Sequence, residues 1–182
     1  AHILEINSKS GLYPLYVAYS IFRNRIKEKY PGKEPNELTI EQQQKLWDKT
    51  VAENVFVLCK TPMAKSITKR TLLGFRDAKV NTHYFEDIVR QITQRPEKFI
   101  AKIRKGKSYW KANKNDNMRF NAIVGNPPYQ ETTEGTSDKP IYHLFMDIAF
   151  QISEKVTFIT PGRFLFNAGK TPKDWNNKIL ND

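Results

Sequence analysis

Phe120-Asn121-Ala122-Ile123-Val124-Gly125-Asn126-Pro127-Pro128-Tyr129 is the stretch that decides the fold. Ile123 and Val124 are β-branched and apolar, which suits a buried strand, and Gly125 ends the run with a turn that a side chain would resist. Asn126 precedes a proline, so its backbone is driven out of the helical region into an extended one. Pro127 and Pro128 then fix two successive φ angles and remove two N–H donors. These residues predict a stiff loop at the carboxyl end of a strand. The loop carries one amide side chain, the free carbonyl of Pro127 and the ring of Tyr129.

An NH2 group on a planar base or amide needs two acceptors to hold both its hydrogens. The Asn126 side-chain oxygen and the Pro127 carbonyl supply two, and Tyr129 supplies a ring to stack on the plane that bears the amine. With both hydrogens held, the nitrogen lone pair is free to attack an electrophile. On these four residues the sequence resembles the amino-group methyltransferases, whose Asn-Pro-Pro-Tyr motif ends the fourth strand of a sheet. An ordinary Pro-Pro turn leaving a strand is the plainer alternative. Asn directly before the prolines and an aromatic directly after them favour the resemblance.

Upstream, Ile3-Leu4-Glu5-Ile6 reads as a strand, Asn7-Ser8-Lys9-Ser10-Gly11 as a polar loop, and Leu12, Leu15, Tyr16, Tyr19, Phe22 and Ile26 as one face of a helix. Strand, tight loop and helix open a doubly wound sheet, in which ligands sit beyond the carboxyl ends of the strands. Tyr30 to Asn36 is rich in breakers. Thr39 with Gln42 forms a capping box for a helix over Leu46, Trp47 and Val51, read as a helical insertion at about 31–53. Asn54 to Cys59 is a second buried strand, and Thr61 and Pro62 start the helix that follows. Lys79 to Phe85 is a short third strand, with a helix over Ile88, Ile92, Phe99, Ile100 and Ile103 that is interrupted at Pro96 and closed by Gly106. Gln130 to Lys139 is a polar loop over the site, Pro140 to Ile152 a helix and Val156 to Thr160 a further buried strand. One more helix opens at Thr171-Pro172.

Composition narrows the class. At 182 residues the chain is about one domain, and eleven Phe, eight Tyr and three Trp suffice for a core. Neither a membrane-length apolar run nor a signal-peptide pattern is present in the sequence. A lone cysteine, Cys59, excludes internal disulfides and Cys-cluster metal sites, and His2, His83 and His143 are scattered, so no metal is expected. The setting this predicts is cytoplasmic. Charge is uneven: residues 90–119 hold ten basic residues against Glu97 and Asp116, a net +8 of the chain's +11, with Tyr109 and Trp110 interleaved. Such a segment just before the Asn-Pro-Pro-Tyr loop suits a polyanion such as DNA, against the alternative of a solvated helix face.

The resemblance implies more than the sequence shows directly. The methyltransferases hold S-adenosylmethionine at the first strand-loop-helix unit with an acid-P-x-x-G-x-G pattern. Glu5 matches the acid, and Ser10 and Gly11 match the last two positions, with Asn7 inside the loop. Lys9 stands where a glycine is expected. Lys9-Ser10 also bears on a phosphate loop, but the glycine ahead of the lysine is missing. Cys59, followed by Lys60, stands where the family carries an acid for the ribose hydroxyls. Asp87 matches a carboxylate that contacts adenine of the cofactor, and alternatively favours the dipole of the next helix. Phe164 or Phe166 would line a target-base pocket or pack in the core. Asp77-Ala78-Lys79 has a nuclease-like D-x-K form without an upstream carboxylate partner.

The segments Ile3–Tyr19, Ala122–Tyr129 and Thr160–Gly169 together are similar to the methylase region of bacterial restriction-modification enzymes. That implies transfer of a methyl group to the exocyclic amine of adenine, flipped out of duplex DNA. Asn126, Pro127, Pro128 and Tyr129 would be the catalytic loop. The alternatives are methylation of RNA or of a protein glutamine amide, or a non-catalytic DNA-binding or scaffold portion of a larger restriction enzyme. The expected fold is α/β and Rossmann-like, a doubly wound, mainly parallel sheet with helices on both faces. Residues 1–182 are expected to be a partial methyltransferase domain, whose target-recognition and nuclease domains lie elsewhere in a parent polypeptide and whose sheet exposes an edge or pairs with another copy.

Overall fold

The apolar runs do become strands, and their order defines the molecule. The structure, a computed structural model, describes residues 1–114, 116–131, 138–166 and 168–181. Five strands form one sheet: β1 (Ile3–Ser8), β2 (Val55–Cys59), β3 (Asn81–Tyr84), β4 (Ala122–Gly125) and β7 (Val156–Phe158), in the order β3-β2-β1-β4-β7. Every pairing in it is parallel. A separate two-residue ladder joins β5 (Gln130–Glu131) to β6 (Lys139–Pro140) in antiparallel fashion. Residues 132–137 of the polar loop lie outside the described residues.

Parallel strands need crossover connections, and the helices that supply them cover both faces. On one face lie α1 (Leu12–Lys29), α2 (Ile40–Asn54) and α3 (Pro62–Leu73). The buried residues of α1 are Pro14, Ala18, Phe22 and Ile26, spaced by four as a single helical stripe requires. Ala18, Val51 of α2, and Leu72 and Leu73 of α3 close over Val55, Val57 and Cys59. On the other face α4 (Ile88–Gln94), α5 (Pro96–Ile103) and α6 (Tyr142–Ile152) pack on Leu4, Ile6, Phe56, Leu58 and Ile123. A seventh helix, α7 (Lys173–Asn181), closes the described chain.

Local chemistry sets several boundaries where the sequence predicts them. Thr39 and Gln42 exchange two capping hydrogen bonds of 3.2 and 3.0 Å at the start of α2. Thr61 accepts the Ala64 N–H at 3.1 Å, with Pro62 as first residue of α3. Pro96 separates α4 from α5. Other boundaries move. β1 continues through Asn7 and Ser8, which the sequence assigns to the loop, and its register with β2 slips between Ile6 and Ser8. Asn54 ends α2 instead of starting β2, its side chain donating to the Ala1 carbonyl at 2.6 Å. β7 stops at Phe158. Gly106 starts a short 3-10 turn with φ +56°.

Candidate functional site

β1 and β4 are neighbours in the sheet, but the chain leaves β1 toward one face and β4 toward the other. That is the topological switch point, where diverging crossovers open a crevice beyond the carboxyl ends of the strands. Two loops meet there, the one after β1 and the one after β4.

The β4 loop is held tightly. Gly125 has φ +154°, and a Cβ there would stand 2.8 Å from the Ile6 carbonyl oxygen, so β4 can lie this close to β1 only because residue 125 has no side chain. The Gly125 carbonyl accepts the Ile159 N–H at 3.0 Å, and the Tyr129 carbonyl accepts the Ile141 N–H at 3.0 Å. Between them the Asn126 carbonyl accepts the side-chain N–H of Asn7 at 3.0 Å. Among the described residues the Asn126 side chain has no hydrogen-bond partner and the Pro127 carbonyl accepts no hydrogen bond. Asn126 is half-buried, Pro127 buried, Pro128 half-buried, and Tyr129 40% exposed. A loop pinned at three carbonyls thus leaves one amide and one carbonyl unused beside an accessible ring.

Beside Tyr129 opens a cavity of about 620 Å³, lined among others by Tyr142, Thr160, Pro161, Arg163, Lys170 and Thr171. The Tyr142 hydroxyl and Thr171 share a 2.6 Å hydrogen bond that ties α6 to the segment before α7. The cavity's volume suits a small planar group, and Arg163 and Lys170 line it with two cations against one carboxylate, Asp138. Phe164 is not among the lining residues: it is buried, with its ring against Tyr142 and Trp175. Phe166 is 82% exposed. Tyr142 and Lys170 carry no local signal in the sequence; α6 brings Tyr142 to the cavity, and the chain after β7 brings Lys170 and Thr171.

On the β1 side, Gly11 is left-handed (φ +78°) and caps the N-terminus of α1. A Cβ on it would come within 3.0 Å of Thr68 and Thr71 of α3. The first turn of α1 holds no acidic residue and no side chain caps it, so its N–H groups remain available to an anion. Ser10 is exposed, its carbonyl accepting the Thr71 hydroxyl at 2.6 Å, and Lys9 is exposed beside it. Glu5 is buried, and loss of hydration pushes its carboxyl up to about 8, against a smaller opposing effect from Ser8. One Glu5 oxygen, Oε2, and the Asn7 Oδ1 are buried without a partner among the described residues.

These groups bear on whether S-adenosylmethionine fits. A helix N-terminus suits a carboxylate, and the orphaned oxygens of Glu5 and Asn7 suit an ammonium. Those donors and acceptors fit the amino-acid end of the molecule. At the end of β2, in the place for a ribose-binding acid, stands Cys59, fully buried and with its thiol pushed up to about 11 by burial. Asp87 is exposed at the N-terminus of α4 in a left-handed conformation (φ 49°), beside Arg90, Gln91 and Arg95. It follows β3, two strands away from β1 in the sheet.

The basic segment falls elsewhere than its sequence position suggests. Arg104 donates to the Gln151 carbonyl at 3.0 Å, the Arg119 carbonyl meets the His2 ring at 3.1 Å, and the Asn121 N–H donates to the His2 carbonyl at 2.8 Å. Ala112 N–H donates to Asn81 at 3.0 Å, where β3 begins. The second half of the segment therefore lies at the amino ends of the strands, opposite the Asn126 loop. Four residues of β4 intervene, about 13 Å at the rise of a strand. Adjacency along the chain is converted into separation across the sheet.

The fold defines an α/β protein of the doubly wound type, with the loops after β1 and β4 meeting at the carboxyl end of a parallel sheet. The sequence model of the Eco57I restriction-modification methylase family matches residues 53–182, and the chain belongs to that family. It is thus the methyltransferase region of a restriction-modification system. No curated protein matches the chain. Among the described residues there is no helix long and apolar enough to cross a membrane and no cluster of His, Cys, Asp and Glu able to hold a metal ion.

Proposed function

We propose that the chain methylates the exocyclic amine of adenine in DNA. The observation that carries this reading is the Gly125–Tyr129 loop, which is pinned by three of its carbonyls and leaves the Asn126 amide and the Pro127 carbonyl as paired free groups beside an exposed ring. The Asn126 side-chain oxygen and the Pro127 carbonyl take one amine hydrogen each, and Pro128 keeps the loop stiff. Tyr129 stacks on the base, an interaction worth about 1–3 kcal/mol. The amine has to leave the duplex to arrive there, so the base is flipped into the cavity, with Arg163 and Lys170 against its phosphates. The excess of two cations over the single Asp138 carboxylate favours a nucleic acid over a glutamine side chain.

The N-terminus of α1, Gly11, Asn7 and Glu5 hold S-adenosylmethionine, which when bound supplies the electrophilic methyl group. The S–C bond would break as the N–C bond forms, leaving the cofactor as a neutral thioether. The aminium would shed its proton to water after transfer, so no base is required beforehand. On this reading residues 1–182 contain the chemical part of a longer polypeptide, and other parts choose the DNA sequence. Asn126→Ala in the intact protein is expected to abolish methyl incorporation into unmodified DNA while leaving DNA affinity within about twofold, because one amide is a small share of a polyanion's contacts. Methyl incorporation retained by that variant would overturn the assignment, and competition by structured RNA or a glutamine peptide would redirect it.

A further inference from the structure

We propose that Asn7 is a positioning residue, whose side chain fixes the Asn126–Pro127 peptide in the pose that grips the amine. The inference rests on the reading of the Asn126 loop given above. It assigns Asn7 a duty toward the β4 loop in addition to the cofactor.

The backbone supplies the first ground. Asn7 sits where the β1 register slips, at φ 74°, one of two non-glycine residues with positive φ among those described. Asn tolerates that conformation better than nearly any other side chain, and a bulge of this kind re-aims the residue that forms it. The result is a buried side chain directed across the switch point, with Nδ2 donating to the Asn126 carbonyl, 119 residues away in sequence, at 3.0 Å. Among the described residues it is the only side-chain hydrogen bond between the two loops.

The second ground is what that bond controls. Peptide planarity makes the Asn126 carbonyl and the Pro127 nitrogen one rigid body. The Pro127 ring locks its φ, and Pro128 confines the Pro127 ψ to the extended region. Orientation therefore passes from the pinned Asn126 carbonyl to the Pro127 carbonyl with almost no free torsion between them. The flanking anchors at Gly125 and Tyr129 are backbone bonds made by Ile159 and Ile141, so Asn7 is the one anchor that a side-chain change can remove. A carbonyl partner also dictates the amide's orientation. Nδ2 must face Asn126, which leaves Oδ1 buried with no donor, an arrangement that packing alone would not favour.

The test compares Asn7→Asp and Asn7→Gly with the unaltered intact protein. Both replacements accept a left-handed backbone; glycine has no side-chain donor to Asn126, and the aspartate loses its donor where its carboxyl ionises. Three quantities are read: hydrogen exchange of the peptide spanning residues 122–131 without cofactor, the calorimetric Kd for S-adenosylmethionine, and the single-turnover rate of methyl incorporation into unmodified DNA of mixed sequence. The expected outcome is faster exchange in that peptide, a rate lowered by about 10- to 100-fold, and a Kd for the Asp variant within about threefold of the parent. Unchanged exchange and rate, or a rate that falls only in proportion to weakened cofactor binding or a reduced folded fraction, would overturn the inference while leaving the methylation reading standing. If the unaltered protein incorporates no methyl group, the methylation reading itself fails and this inference falls with it.

Discussion

Glu5 is the residue at which burial and charge are most visibly opposed. Its side chain is 3% exposed, and its folded-state pKa of about 8 lies far above the value of 4.5 that it takes in the open chain. Between those two values the folded protein holds a proton that the unfolded chain has released. Stability therefore falls as pH rises from about 4.5 to about 8, and the penalty is complete above that. Glu5→Gln keeps the shape and removes the titration. The variant is expected to match the parent near pH 4.5 and to exceed it increasingly toward pH 8, by a few kcal/mol at most, read as the gap between urea midpoints across the pH series. A constant gap would show that Glu5 ionises freely in the folded state. The position of Glu5 on β1 is legible in the sequence, as is the stiffness of Asn126–Tyr129. Its burial is not, because only the pairing of β1 with both β2 and β4 removes water from it.

At the scale of elements, the strands with continuous apolar runs and the helices with chemical start signals are readable, and the segment that closes the core is not. The described residues between 104 and 121 form no long element, yet Trp110 among them is fully buried. Its ring stands edge-on to Phe56 and His83, with centroids 5.2 and 5.0 Å away, and its N–H donates to the Ile103 carbonyl at 2.7 Å. His83 stacks on Tyr109 at 4.1 Å, and burial lowers its pKa to about 4, so it packs as a neutral ring. In the sequence Trp110 stands among lysines and reads as part of a charged surface. Composition over a window cannot show that Trp110 turns inward while Lys111 turns out. Trp110→Ala is expected to cost about 3–5 kcal/mol in urea unfolding, while Lys111→Ala stays within about 0.5 kcal/mol. Similar small losses in both would mean that the segment is not part of the cooperative core.

At the scale of the molecule, the polarity of the sheet separates two kinds of positive charge. Arg163 and Lys170 border the cavity at the carboxyl end, whereas Lys105, Lys111 and Lys114 belong to the segment placed at the amino ends. If DNA enters at the cavity, the first pair stays against phosphates in the complex, and the second group contributes only a field felt on approach. Alanine at Arg163 and Lys170 is expected to weaken DNA binding and to lower the slope of log affinity against log salt by about 0.9 for each phosphate no longer neutralised. Alanine at Lys105, Lys111 and Lys114 is expected to slow association by about two- to tenfold at low salt and to leave dissociation unchanged, since rim and remote charges act chiefly on the encounter. Stopped-flow association and dissociation of a labelled duplex at two salt concentrations distinguishes the groups. A faster dissociation on removing the three lysines would place DNA on the amino end of the sheet, and the loop and cavity would then have to be reached by a duplex that wraps around the domain.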